Sequence, residues 1–330
     1  MPNFINSSWK IGNLTLAHRL IQGPLAGYSC APFRELFNQF TPPAYCVSEM
    51  SSAIDVINKH SLSSRYIYRS PAEKILAYQI SGNEPYTMAD AAAFLQSQGA
   101  DLIDINCGCP KTKIRKKGAG SALLDEPEQL QRIIKKVREA LTVPLTVKIR
   151  IQGSDKDFIL AQIIEDAGAD AIIVHGRRWT DDYAVACDLA QIGLIKQKVT
   201  IPVIANGDIN SLSQLNRTIE ISGCDGFMIA RAGCGKPWLF EELLEQKVMM
   251  IPVMEKIALF MRHLQGLATL ENEFKAVLQS KSLIRYYFKN ILDVSHLNSF
   301  YQLTNLKAIH HFLSDKNRFN ELAMINPKPL

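Results

Sequence analysis

The sequence predicts an α/β fold, a (β/α)8 TIM barrel followed by a small all-helical C-terminal domain. Three observations carry that prediction. Short apolar runs alternate with longer amphipathic stretches, the pattern of parallel strands joined by helices. Eight such runs fall between residues 19 and 230, which suits an eight-fold barrel. Beyond about residue 245 helical spacing continues with no strand between.

Taken in order, strands are expected near 19–23, 45–49, 75–80, 101–106, 145–149, 171–175, 202–205 and 226–230. AIIVH and GFMIA are apolar nearly throughout, as befits strands buried on both faces. The clearest helices are 87–98, 127–141, 157–167 and 211–222, with Pro127 just inside one start and Gly168 just past one end. A doubly wound open sheet is the rival architecture. No G-x-G-x-x-G follows the first strand, which weighs against a dinucleotide-binding version of it. In the tail, MEKIALFMRHLQGLATL, EFKAVLQSKSLIRYYFKNIL and YQLTNLKAIHHFLS predict three or four helices. Proline disfavours helix at the residue before it, so IPV at 251–253 marks the linker between a domain at 1–245 and one at 246–330.

Composition bounds the function more loosely. The 330 residues are 47% hydrophobic and 21% charged, ordinary for a globular chain. A formal net charge of +5 permits a polyanionic partner without requiring one. Seven scattered cysteines form no C-x-x-C pair and no zinc-ligand spacing with histidine, so no metal is expected. No apolar run approaches the roughly 20 residues of a membrane helix. The start, MPNFINSSWKIGN, lacks a signal-peptide pattern, and the expected setting is the cytoplasm, with free thiols.

A barrel places functional groups at the C-terminal ends of its strands. The unusual residues sit there: Pro24, Leu25 and Ala26 after the first strand, Gln79 in the third, and Asn106 to Pro110 after the fourth. Lys148 ends the fifth, His175 the sixth, Asn206-Gly207-Asp208 follows the seventh, and Ala230-Arg231 ends the eighth. The loops after strands seven and eight build phosphate sites in many barrels, although N-G-D can also be a plain turn. Lys148 could hold an electron-rich ring or a phosphate, or sit at the surface. His175 could equally be a core histidine. NCGCPKTKIRKKGAGSALL is the most specific segment: a thiol on a constrained turn, followed by Lys111, Lys113, Arg115, Lys116 and Lys117. Such a loop suits a nucleic-acid substrate, or is simply solvated. In the tail, Lys281, Arg285 and Lys289 recur at i, i+4, i+8, either an RNA-tracking stripe or a solvated face.

NCGCPKTKIRKKGAGSALL resembles the signature of tRNA-dihydrouridine synthases. PLAGYSCAPFR, SEMSSA, QISG, VKIR, VHGR, IPVIANGDI and GFMIARAGCGKPWLF stand in that family's order over roughly 14–240. The resemblance implies an enzyme that takes FMN across the barrel mouth and reduces the C5–C6 bond of a tRNA uridine, with NADPH as reductant. It makes Cys109 the catalytic acid, delivering a proton to C5 opposite the hydride that arrives at C6. It gives Pro24, Leu25, Ala26, Gln79, Lys148, His175, Asn206, Gly207, Asp208, Ala230 and Arg231 to the flavin. Asn106 would meet the uracil or the flavin, and Cys107 would have no catalytic role. The lysines and arginines at 111, 113, 115, 281, 285 and 289 would meet tRNA. Three segments depart from the family pattern: RWTDDYAVACD after VHGR, IRIQGSDKD after Lys148, and Lys236 where Asn is frequent. The rival readings are a flavin barrel acting on a free pyrimidine and a non-catalytic RNA-binding barrel.

Overall fold

The computed structural model describes residues 2–315. The eight predicted strands form and close into one parallel barrel: β1 (Leu20–Gln22), β2 (Cys46–Val47), β3 (Leu76–Ser81), β4 (Leu102–Cys107), β5 (Leu145–Arg150), β6 (Ala171–His175), β7 (Val203–Asn206) and β8 (Gly226–Ile229). Closure is direct, since Leu20 of β1 lies opposite Phe227 of β8. The helices that follow the strands are α1 (Ala31–Glu35), α2 (Ala53–Asn58), α3 (Pro85–Ser97), α4 (Pro127–Glu139), α5 (Lys156–Asp166), α6 (Leu189–Lys196), α7 (Leu212–Ser222) and α8 (Leu239–Glu245). Several begin on a side-chain cap: Glu84 accepts from the amides of Tyr86 and Thr87, and Ser211 from that of Gln214.

Strand alternation sorts the apolar residues into two cores. Ile103, Ile105, Val147, Ile149, Ile172 and Val174 face outward and join one large cluster with the surrounding helices. Ile21, Val47, Ala77, Leu102, Ile173, Ile204 and Met228 face inward and fill the lower lumen. An antiparallel hairpin, Trp9–Ile11 with Leu14–Leu16, plugs the bottom with Trp9, Ile11 and Leu16. One register step toward the C-terminal ends, the inward positions turn polar: Gln79, Asp104, Asn106, Thr146, Lys148, His175 and Asn206. The barrel is thus apolar below and polar at its mouth.

Two expectations need correcting. The second strand holds the sheet for only two residues, because Ser48 is the last to bond β3 before Glu49 turns toward Arg65. The segment rejoins β3 briefly at Ser51–Ser52. The last helical stretch is two helices. The tail comprises α9 (Val253–Leu270), α10 (Glu273–Tyr287), α11 (Val294–Tyr301) and α12 (Leu306–Ser314). Asn305 caps α12 by accepting from the amide of Ala308, which breaks the helix at 302–305.

α9 starts directly after Pro252, at the expected linker. It crosses α1 closely: a Cβ on Gly266 would lie 2.8 Å from Cβ of Pro32, so only glycine fits there. Phe260, Leu264, Leu267, Leu283 and Ile284 belong to the same apolar cluster as the barrel's outer layer. The tail is therefore bound to the barrel by continuous core. Residues 316–330 of the expected C-terminal domain lie outside the described residues. No described helix is long and apolar enough to cross a membrane, and no metal-binding group of side chains occurs among the described residues.

Candidate active site

Alternation along β4 decides which cysteine reaches the mouth. Cys107 points outward with Ile103 and Ile105 and is fully buried, and burial pushes its thiol well above the usual range. Cys109 lies past the strand end and is half-buried at the mouth. Its position is set by backbone bonds. The Asn106 carboxamide oxygen accepts from the amides of Gly108 and Cys109 at 3.2 and 3.0 Å. The Cys109 carbonyl accepts from the Ser121 amide at 3.1 Å and its hydroxyl at 3.0 Å. Arg150, at the end of β5, donates to the Gly108 carbonyl at 2.8 Å.

Beneath this turn runs a buried chain across three strands. Thr146 donates to Asp104 at 2.6 Å, Gln79 donates to the other Asp104 oxygen at 2.7 Å, and Asn106 donates to Gln79 at 2.8 Å. Burial raises the Asp104 carboxyl above its ordinary range, against the opposing pull of these donors and of Lys148. Burial lowers the Lys148 ammonium, against the attraction of Asp104. Lys148 makes no ion pair or hydrogen bond with the described residues, so a cationic donor stands free in the mouth beside these amides.

His175 faces the same space, 9% exposed. Burial, then the charges of Lys148, Arg150, Arg177 and Arg231, push its pKa down to about 2. The sign follows. An unfolded imidazole takes a proton below about pH 6.5, whereas the folded one stays neutral, so this residue withdraws stability as pH falls. Between pH 7 and pH 5 that amounts to about 1–2 kcal/mol. Urea midpoints should therefore drop less over that interval in His175→Gln than in the parent protein; equal drops would mean His175 takes a proton in the fold.

The loops after β7 and β8 are where the phosphate site is expected. Asn206 donates to the Met228 carbonyl at 2.9 Å, tying the two strand ends. Gly207 has φ +127°, and a Cβ there would lie 2.2 Å from Cys187 Sγ, so only glycine can make the turn. Arg231 is exposed after β8, its guanidinium 3.7 Å from the Tyr183 ring centroid, and pairs with no described carboxylate. Asp208, expected at the flavin, holds Arg177 through two bonds of 2.8 Å and accepts from the Cys187 amide at 3.1 Å. Its carboxylate is committed to bracing the loop after β6. Pro24 and Leu25 are half-buried and Ala26 exposed in the loop after β1, as a ring-lining segment would be. The free ammonium of Lys148, the amides of Gln79 and Asn106, and the glycine turns near Arg231 together fit an anionic, planar, hydrogen-bonding cofactor such as a flavin nucleotide.

The basic residues separate into two kinds. Lys111 and Lys113 are exposed beside Cys109, Lys111 just before and Lys113 within a single helical turn at Thr112–Arg115. Arg115 is not free. It donates to Ser121 and Asp125 at 2.9 and 2.8 Å and stacks 3.8 Å over Trp179, clamping the Cys109 loop to the loop after β6. In the tail, Lys281 is half-buried and Arg285 exposed, with its guanidinium donating to the Tyr301 hydroxyl at 2.7 Å. α10 ends at Tyr287, so Lys289 lies past the helix and off the expected stripe. Of the adjacent tyrosines, Tyr287 is core, bonded to His263, while Tyr286 meets Tyr28 edge-on at 5.8 Å.

A second polar cluster was missed by sequence reasoning. Glu49, 2% exposed, accepts from Arg65 at 2.8 and 2.6 Å and from the Gly27 amide at 2.6 Å. Arg65 also donates to Glu271 of the tail at 2.6 Å, and Gln279 donates to the Gly27 carbonyl at 2.7 Å. These bonds hold the loop after β1 against α10. A buried glutamate within SEMSSA, directly after an apolar strand, was the available signal.

Comparison with known proteins accords with this geometry. The family profile "Dihydrouridine synthase (Dus)" matches residues 21–317. The tRNA-dihydrouridine synthase B of Vibrio vulnificus is 38% identical over 288 residues, covering 85% of this chain and 89% of that protein. The probable tRNA-dihydrouridine synthase 1 of Synechocystis sp. is 36% identical over 308 residues, 91% of this chain and 86% of its own. Among solved structures, the old yellow enzyme homologue of Zymomonas mobilis shares the fold, with a TM-score of 0.58 at 14% identity over 76% of this chain and 95% of that one. Morphinone reductase aligns with a TM-score of 0.53 at 12% identity, over 75% and 91% of the two chains. With a profile match through the barrel and most of the tail, and relatives matched along most of their own length, the chain belongs to the dihydrouridine synthase family.

Proposed function

We propose that this protein is an oxidoreductase that reduces the C5–C6 bond of a uridine in tRNA, with Cys109 as proton donor. The single observation that carries the reading beyond family membership is the half-buried Cys109 thiol, held at the barrel mouth above the Asp104–Gln79–Asn106 chain.

FMN, bound by Lys148, Gln79, Asn206, Gly207, Ala230 and Arg231 with Pro24, Leu25 and Ala26 along its ring, would supply the hydride for C6 and be recharged by NADPH. The protein's own groups do the rest. The mouth admits a base only after it leaves its stack, as in other enzymes acting on nucleobases. Cys109 holds a proton on Sγ and gives it to C5 as negative charge develops on the ring, a role that needs the thiol and not the thiolate. The Lys148 ammonium steadies that charge from within a low-dielectric cavity, where one cation is worth far more than in water. Burial and the surrounding cations favour the neutral form of His175, in which it can orient the ring without competing for the proton. Asn106, Ser121 and Arg150 fix the Cys109 turn so that the sulfur is already in place.

Lys111 and Lys113 on the mouth, with Lys281 and Arg285 on the tail, would track the RNA backbone, and the domain from 246 onward would serve as the tRNA-recognition module. Purified protein is expected to be yellow. With NADPH it should convert a uridine of unmodified tRNA to dihydrouridine, read by mass spectrometry of nuclease digests. Reduction of free pyrimidines to their dihydro forms, with no reduction of tRNA, would favour the free-base reductase. A colourless protein that binds tRNA and takes up no FMN would favour a binding barrel.

A further inference from the structure

We infer that the open cleft between the barrel mouth and α10 is a nucleobase subsite, which takes an unstacked neighbour of the uridine being reduced. The inference rests on the tRNA reading above and deepens it.

The cleft has a volume of about 690 Å3, within the roughly 300–1,000 Å3 of small-molecule sites. It opens beside the proposed flavin ring, since Ala26 and Gly27 form part of its wall. Its far wall belongs to the tail, through Lys275, Leu278 and Gln279. Ligand chemistry follows from the charges. Arg65 is the cation of the floor, and its donors already face Glu49 and Glu271 at 2.6 to 2.8 Å. Two carboxylates against one guanidinium leave no attraction for a phosphate there, which excludes the phosphates of a dinucleotide from the interior. The remaining cation, Lys275, is exposed and pairs with no described carboxylate. The interior therefore suits an uncharged group, with a phosphate outside it on the Lys275 side.

The walls select a planar one. His60 and Tyr66 both line the cleft and stack on each other, with centroids 4.6 Å apart and planes 30° apart. Tyr28 adds a third ring. Ser64 also lines the cleft, and its shielded hydroxyl has no hydrogen-bond partner among the described residues. Aromatic faces and a rim cation are the parts that bind a single-stranded nucleotide. Drawing one uridine out of its stack strips stacking from its neighbours, and this cleft is the adjoining place where that loss can be recovered.

The test uses the flavin-loaded protein and three tRNAs: one intact, and two lacking the base on either side of the reduced uridine. Wild type should lose about tenfold in kcat/KM on one of the two abasic tRNAs, the scale of one base–aromatic contact. His60→Ala and Tyr66→Ala should lose a similar factor on intact tRNA and nothing further on that abasic tRNA. Tyr66→Phe should bring the abasic penalty back. Flavin content and melting temperature report whether each variant has folded. Equal abasic penalties in wild type and in both alanine variants, or no penalty in wild type at either flank, would overturn the subsite while leaving the reductase reading intact. A wild type that reduces no intact tRNA would overturn the reductase reading and the subsite with it.

Discussion

Replacing Cys109 with alanine is expected to slow dihydrouridine formation by about 10²-fold or more, the usual scale for a missing general acid. Flavin content and tRNA affinity should stay near the parent values, because the change removes only Sγ. The turn itself is held by the backbone of Cys109 and by Asn106, Ser121 and Arg150, none of which is altered. Cys107→Ala is the matched control. It deletes a thiol packed in the outer apolar layer, so it should cost stability through a small cavity and leave the chemical step alone. Single-turnover reduction of unmodified tRNA separates the two. A Cys109→Ala protein with near-parent rates would sink the proton-donor assignment.

Asp208→Ala should lower folding stability by about 2–4 kcal/mol. Arg177 is 2% exposed and both of its contacts to Asp208 are charged hydrogen bonds, so truncation leaves a buried guanidinium without its counter-ion. Breaking a fully buried pair costs about 3–5 kcal/mol, and the value is set lower here because a third of the Asp208 side chain is in water. Asp208→Asn, which keeps one acceptor for Arg177, should lose less. Family resemblance alone gives Asp208 to the flavin, and the two roles part in flavin-free protein. Reduced stability in the apo form supports the ion pair. Unchanged apo stability with lost flavin would return the residue to the cofactor.

The barrel was legible because strands buried on both faces must be apolar throughout, and such runs stand out in a one-dimensional reading. The bottom hairpin was not legible, since three-residue strands carry too little pattern to separate from a loop. The site was legible as a set of places. A barrel has one functional end, so polar residues closing apolar runs had to collect there. What each does there depended on partners that the chain order does not reveal. Asp104 meets Gln79 and Thr146 from strands 25 and 42 residues away, and Arg65 meets Glu271 at a separation of 206. Arg115 shows the consequence. Within a run of five basic residues it looked like a phosphate contact, yet its guanidinium is taken up by Ser121, Asp125 and Trp179.

By itself, then, the amino-acid order determined the fold class and the strand ends that make the mouth, while the choice of Cys109 over Cys107 rested on the family resemblance. The first two follow from hydrophobic periodicity, which is local in the chain. Only the tertiary structure showed that Asp208 pairs with Arg177 and Arg115 with Asp125, that Lys148 faces buried Asp104 without a hydrogen bond to the described residues, and that Glu49 and Arg65 join the tail to the mouth. Each of those roles depends on which charged group finds a partner across the barrel. Burial makes an unpaired charge costly, so pairing in space, not position in sequence, assigns the work.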